Sequence, residues 1–427
     1  MLLSASMLDQ LIIKSSASPP HLVTAYALPS PGEMTATQDT EPENFKPEEF
    51  LRLGQDPTSI TARGAKLFKT DVETYINWRW HMRHQVTTAA EAAKVMDLEL
   101  AEQQGFLELD HIFNAGVTPY YMGLMGVPSK DGPCPIRLQA LPRSEELSDR
   151  YGILDPLLEK EHSPVKEVVH LYPDRVAFCV AQLCPVYCRY CYRKRRDNEA
   201  GLHFNRTIVD RGIAYIASNP AIRDVLITGG DPFIASDGAI DNLLSRIRAI
   251  PHVEIIRFGT RTPVTLPYRV TKKLASILAK YHPVYVNTHF NCPEELTPEA
   301  KVAVENLVNQ GIPVGNQAVL LKGVNDTYQR MYDLCRGLLM MRARPYYLFH
   351  PHNVEGTEHL RPSVDVGLDI MRRLRGNITG FAIPTYIIDT PSGKVPITHN
   401  YVLGRDGEDL LLENVRGEIW REKGVLS

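Results

Sequence analysis

At 427 residues, with 44% hydrophobic side chains, the chain can bury a large core, and its length predicts two or three domains. A net charge of −3 offers no cationic surplus for nucleic acid or an anionic membrane surface, and no apolar run is long enough to span a bilayer. Of the seven cysteines three crowd into one loop, while Cys134, Cys179, Cys292 and Cys335 are scattered; this is no disulfide framework, and a reducing cytoplasm is expected.

Residues 1–45 are rich in Ser, Thr and Pro and lack the basic start and long apolar core of a secretory signal, so a loosely ordered leader is expected. Asp9, Glu33, Asp39, Glu41 and Glu43, set against Lys14 alone, count against a transit peptide. From Asp71 to His84 apolar and aromatic residues fall at helical spacing, and 88–103 continues that character. The stretch 46–165 is therefore expected to form a helical N-terminal domain, with the proline-rich, aperiodic part 116–164 wrapping onto the next domain. Trp78 and Trp80 are expected to pack against a neighbouring helix rather than to offer a ligand platform.

Short apolar runs then alternate with helical segments. Strands are expected at 175–182, 225–228, 254–259, 284–288, 313–321 and 345–350, and helices at 208–218, 239–248, 272–281, 298–310 and 328–341. Repeated βα units mean a parallel sheet, so the fold class is α/β: a partial (β/α)6 TIM-type barrel over 166–390. After a helix at 364–374 and a further strand candidate at 381–389, a short β-rich C-terminal extension, 391–427, includes a hairpin around Gly404 and Gly407. Chemistry in such barrels gathers at the carboxyl ends of the strands, and that is where the unusual residues fall.

Cys184, Cys188 and Cys191 follow the first of these strands, within eight residues. Their gaps of three and two residues let a tight loop turn the sulfurs to one side, and Arg193, Lys194, Arg195 and Arg196 favour the thiolate form that binds metal. Zinc sites are closed by four ligands and ordinary ferredoxin clusters take four cysteines; here there is no fourth. From the residues alone this is a metal-ligand loop, with a zinc loop or a chance group of buried thiols as alternatives. A four-iron cluster on three cysteines keeps one iron open, and the C-x3-C-x2-C spacing resembles the radical S-adenosylmethionine superfamily. Gly229, Gly230 and Asp231 end the next strand; alone they read as an ordinary turn, but their position matches the superfamily's motif for the methionine amine. Tyr190 occupies its aromatic position near the adenine. His289 and Gln317, at later strand ends, are placed to meet the ribose and methionine parts, or are satisfied polar residues on the barrel rim.

The resemblance then narrows. Tyr172, Asp174 and Arg175, the cysteine loop with Arg193, the run from Gly259 through Arg261, Asn287 to Asn291, Gly315 to Gln317, Arg344 onward, and Asp389 with Lys394 recur in this order in lysine 2,3-aminomutase and its relatives. This resemblance implies a second cofactor, pyridoxal 5'-phosphate, with Lys394 as its Schiff-base lysine, Arg175 on its phosphate and Tyr172 on its ring. It implies Arg193 as the clamp for the substrate carboxylate. Without the resemblance, Lys394, in a short loop after Ser392 and Gly393, reads as an exposed surface lysine. The implied activity is an isomerase, a 2,3-aminomutase that moves the α-amino group of a free L-amino acid to the β-carbon. Its implied partners are a small-molecule substrate and a one-electron reductant such as flavodoxin or ferredoxin, in a homo-oligomer built through the helical N-terminal regions.

Lysine-specific members hold the substrate's distant ammonium with two acidic residues. Here Asp389 stands at one of those positions and His352 at the other, so lysine, glutamate and arginine all stay open as substrates. The C-terminal cysteine cluster that binds zinc in some relatives is absent, and no zinc is expected. Two alternatives are another radical outcome with the same cofactors, such as elimination, and modification of a protein lysine. A third, a non-catalytic iron-sulfur protein, has no need of Lys394, Arg193 and Asp389 together.

Overall fold

The computed structural model describes residues 47–110, 112–125, 134–194, 206–423 and 425. The expected leader, 1–45, lies outside the described residues, as do Arg195 and Arg196.

Short helices fill the first part of the chain. Helices α1 (Glu48–Gly54) and α2 (Ile60–Leu67) precede the periodic stretch, which folds as two helices instead of one, α3 (Val72–Tyr75) and α4 (Trp78–Arg83). Asn77 makes the break: its side chain accepts from the amides of Arg79 and Trp80 and starts a new helix. Likewise 88–103 is not continuous; a capping box of Thr88 and Glu91 opens the brief α5 (Ala89–Ala92), and α6 (Leu100–Glu108) follows separately. The aperiodic connection holds two further helices, α7 (Pro119–Met125) and α8 (Pro135–Ala140). Every residue of α7 is buried, so it carries no amphipathic period by which to be read. Trp80 stacks on His84 and meets Phe68 and Tyr75, so its use is packing.

The barrel sheet begins with β1 (Val168–Tyr172), antiparallel to β2 (Arg175–Ala181). Then come α9 (Arg206–Ala217), β3 (Asp224–Gly229), α10 (Asp237–Arg248), β4 (Ile255–Gly259), the single turn α11 (Thr262–Thr265), and α12 (Lys272–Ala279). They continue as β5 (Val284–Thr288), α13 (Pro298–Val308), β6 (Val314–Val319), α14 (Tyr328–Met340), β7 (Arg344–Phe349) and α15 (Val364–Leu374). A further parallel strand, β8 (Thr385–Thr390), and an antiparallel one, β9 (Gly393–Pro396), complete a nine-stranded sheet whose order is β1 to β9. Six βα units thus run from β2 to α15. A separate antiparallel sheet holds β10 (Val402–Asp406), β11 (Asp409–Glu413) and β12 (Ile419–Glu422), with the hairpin turn at Gly407.

The two-residue period of the strands sorts the side chains. Phe178, Ile227, Phe258 and Val286 are register partners on β2 to β5, all fully buried, and Phe178 packs on Gly212 of α9, so this row faces the helices. Each such burial stabilises by about 1.5 to 3 kcal/mol. Their neighbours Ala177, Leu226 and Arg257 point to the other side and line an internal cavity. Ser236, Thr271, Thr297 and Thr327 cap α10, α12, α13 and α14 through their side chains, fixing where each crossover turns into its helix.

Candidate active site

The cavity, of about 650 Å³, lies at the carboxyl ends of the strands. Cys184, Cys188, Cys191, Tyr172, Arg175, Tyr190, Arg193, Gly229, Gly230, Asp231, His289, Gln317, His352, Asp389 and Lys394 all line it.

The cysteine loop leaves β2 and is held from behind by the helical segment. Gln85 donates to the carbonyls of Cys184 and Pro185, both at 2.8 Å. Arg189 places Nε and Nη2 on Glu146 at 2.8 and 2.7 Å, and Lys194 Nζ reaches the same carboxylate at 2.8 Å. Lys194 is buried, so it is no part of an exposed basic run. Burial works to raise the Glu146 pKa, but Arg189 and Lys194 outweigh it and hold the carboxyl down at about 2. Among the described residues no three His, Cys, Asp or Glu side chains are grouped as a metal site. The Cys188 thiol instead meets Arg261 Nη1 at 2.8 Å. Arg261 is itself fixed by Glu295, Gln139 and Tyr121, at 2.6, 2.7 and 3.0 Å. In this structure the three sulfurs are not drawn together, but as three thiols on one loop that all line one cavity they are the donor type and number that fit an iron-sulfur cluster.

The glycines after β3 serve the fold first. A Cβ on Gly230 would stand 2.5 Å from the Gln182 carbonyl carbon, and Gly229 has φ +125, so the strand end packs directly on the chain leading into the cysteine loop. The Asp231 carboxylate is likewise engaged, accepting from Thr260 Oγ1 at 2.6 Å and from the amides of Arg261 and Phe233 at 2.8 and 3.1 Å. Burial nonetheless raises its pKa. Tyr190 and His289 stand with ring centroids 5.4 Å apart. Among the described residues Tyr190 Oη and His289 Nε2 have no hydrogen-bond partner, and both residues line the cavity, as a place for a polar ligand would leave them. Burial, with Arg261 beside it, keeps His289 neutral down to about 3.

At the other end of the cavity, Lys394 lies on β9, not in a flexible loop, as the register partner of Asp389 on β8. Its Nζ is 3.1 Å from Asp389, and its backbone N–H donates to Tyr172 Oη at 2.9 Å. Gly393, at φ +126, makes the hairpin possible and lets Tyr172 approach. Burial would raise the Asp389 pKa, yet His352 and Lys394 together hold it below the usual carboxylate range. His352 Nε2 is 3.7 Å from Asp389, and its ring packs 4.8 Å from Tyr192. Arg175 covers one face of Tyr172 at 3.7 Å and pairs with Asp174 at 2.7 Å. A lysine amine, an aromatic ring and a half-exposed guanidinium at one end of the cavity form a set that fits pyridoxal 5'-phosphate.

Arg193 Nη2 meets Glu159 at 2.6 Å. Neither Glu159 nor Glu146 has a sequence signal, because both lie in the aperiodic connection; Arg261 stood in a recurring motif but without a role.

Residues 179–335 match the model of the radical SAM superfamily, and residues 371–422 match that named lysine-2,3-aminomutase. The chain is similar to L-lysine 2,3-aminomutase of Bacillus subtilis, 43% identical over 81% of this chain and 74% of that one. It is 40% identical to L-lysine 2,3-aminomutase of Clostridium subterminale, over 84% of this chain and 86% of the other. It is also 40% identical to glutamate 2,3-aminomutase of Clostridioides difficile, over 81% of this chain and 82% of that one.

Proposed function

The chain belongs to the lysine 2,3-aminomutase family of radical S-adenosylmethionine enzymes, and from that membership we propose that it moves the α-amino group of a free L-amino acid with a cationic side chain to the β-carbon. It is an isomerase, and the family's cofactors are a four-iron cluster, S-adenosylmethionine and pyridoxal 5'-phosphate. When bound, these groups supply a one-electron source, a hydrogen-abstracting carbon radical and a π system that carries the migrating nitrogen.

Cys184, Cys188 and Cys191 would hold the cluster, with Arg261 donating to the Cys188 sulfur. Gly229, Gly230, Asp231, Tyr190, His289 and Gln317 receive the adenosylmethionine, the two orphaned polar atoms on Tyr190 and His289 finding partners there. Tyr172, Arg175 and Lys394 hold the coenzyme, and Arg193 takes the substrate carboxylate, all of them lining the one cavity. A one-electron reductant, flavodoxin or ferredoxin, and self-association into a homo-oligomer belong to the same reading.

The observation that carries the substrate class is the Asp389–Lys394 pair. Once Lys394 engages the coenzyme, Asp389 keeps the His352 ring beside it but loses its cation, which a lysine or arginine side chain restores and glutamate does not. The test is anaerobic reconstitution with all three cofactors and dithionite, single amino acids, and mass spectrometry of the products. A β-amino isomer from lysine or arginine is expected; the absence of any β-isomer across all amino acids refutes the aminomutase reading, and glutamate as the one substrate refutes the cationic class.

A further inference from the structure

Arg193 is not a lone cation in the cavity wall. Its Nε reaches both carboxylate oxygens of Glu159, at 3.2 and 3.0 Å, and Nη2 reaches Oε1 at 2.6 Å. The two side chains retain 10% and 12% exposure, so the pair is largely removed from bulk water. The contact uses the side edge of the guanidinium. These bonds engage Nε and Nη2; none among the described residues engages Nη1, and Arg193 lines the cavity, so the end edge is left for a ligand. A guanidinium can donate to one carboxylate on each edge, because its five N–H groups form a rigid planar fork.

Glu159 is itself fixed. Its N–H donates to Asp155 Oδ1 at 2.9 Å, and its carbonyl accepts from Ser163 Oγ at 2.6 Å. The strap that carries it is pinned at both ends: Ile153 exchanges backbone bonds with Asn353 and Glu355 after β7, and the His162 ring meets the Pro391 carbonyl beyond β8 at 3.1 Å. Tyr192 Oη also donates to Glu159, at 3.3 Å, and the Tyr192 ring packs on His352. A carboxylate held this firmly acts as an orienting partner, not as a stand-in that leaves when substrate arrives.

We propose that Glu159 is a positioning residue that holds Arg193 side-on, so that its end edge grips the substrate carboxylate; this rests on Arg193 being the carboxylate clamp of the proposed reaction. Because Glu159 cancels the net charge of Arg193, the clamp recognises a carboxylate by geometry more than by charge.

The test compares ligands that differ only by that carboxylate: L-lysine with 1,5-diaminopentane, and L-arginine with 4-aminobutylguanidine. Binding to the anaerobic holoenzyme is measured by calorimetry. Glu159→Ala is expected to weaken the amino acid by about tenfold or more, roughly 1.4 kcal/mol, and to leave the amine within about twofold. Glu159→Asp, with a shorter reach, shows the same sign at smaller size and serves if the alanine variant does not fold. In an Arg193→Gln background, Glu159→Ala adds nothing to the discrimination. Tighter binding of the amino acid to Glu159→Ala shows a competing carboxylate and overturns the proposal, as does an equal loss of amine. Should Arg193→Gln leave the preference for the amino acid untouched, the clamp reading itself fails and takes this inference with it.

Discussion

Lys394 and Asp389 face each other across the β8–β9 hairpin, so neither charge is buried alone. Removing the amine by Lys394→Ala is expected to abolish covalent retention of the coenzyme on desalting, read by absorbance. It should also lower turnover by on the order of a thousandfold or more, since the reacting groups lose their positioning. Asp389→Asn keeps the shape and removes the charge; the KM for lysine or arginine should rise by roughly 10- to 150-fold, the equivalent of about 1.5 to 3 kcal/mol for a hydrogen bond to a charged group. His352→Asp, which supplies a second acid beside Asp389, should shift preference toward lysine over arginine in competition assays. Residues such as Lys394 and Arg193 were legible because their types and order matched a family. Glu159 was not, because an acid in an aperiodic stretch looks like any solvated charge until the strap closes it against the cavity.

At the scale of elements, the cysteine loop is clasped by Glu146, a single carboxylate between Arg189 and Lys194. Glu146→Gln leaves two buried cations short of their partner and is expected to cost about 3 to 5 kcal/mol. Its signature is in pH: the native Glu146 pKa is depressed, so its contribution is complete above the ordinary glutamate range and is lost as pH falls through about 2. The gap in melting temperature between wild type and variant should therefore be widest near neutrality and close in strong acid. Gly230→Ala drives a methyl into the Gln182 carbonyl and is expected to lower iron retained per chain after reconstitution, measured by iron analysis. The barrel's strands and helices were readable because their periods are set by one buried face. Helix α7, buried all round, and the Asn77 break offered no such period.

Across the whole molecule, the cavity draws on chain from Leu157 to Lys394, and no stretch of it is a site by itself. The sheet from β10 to β12 is separate from the barrel sheet, with Val402, Ile419 and Trp420 exposed. A chain ended at 399 is accordingly expected to keep its far-ultraviolet circular dichroism signal and coenzyme retention, whereas one ended at 392, without β9, keeps the signal and loses retention. Among the described residues no helix is long and apolar enough to cross a membrane.

The strands of the barrel sheet pair in the order in which they occur, from β1 to β9. For a chain emerging from the ribosome, each new strand meets a partner already laid down, and no long loop has to wait open for a distant one. The last strand to join is β9, which carries Lys394; on the function proposed above, a half-made barrel then has no lysine with which to capture the coenzyme, and the reactive aldehyde is taken up only once the sheet is complete.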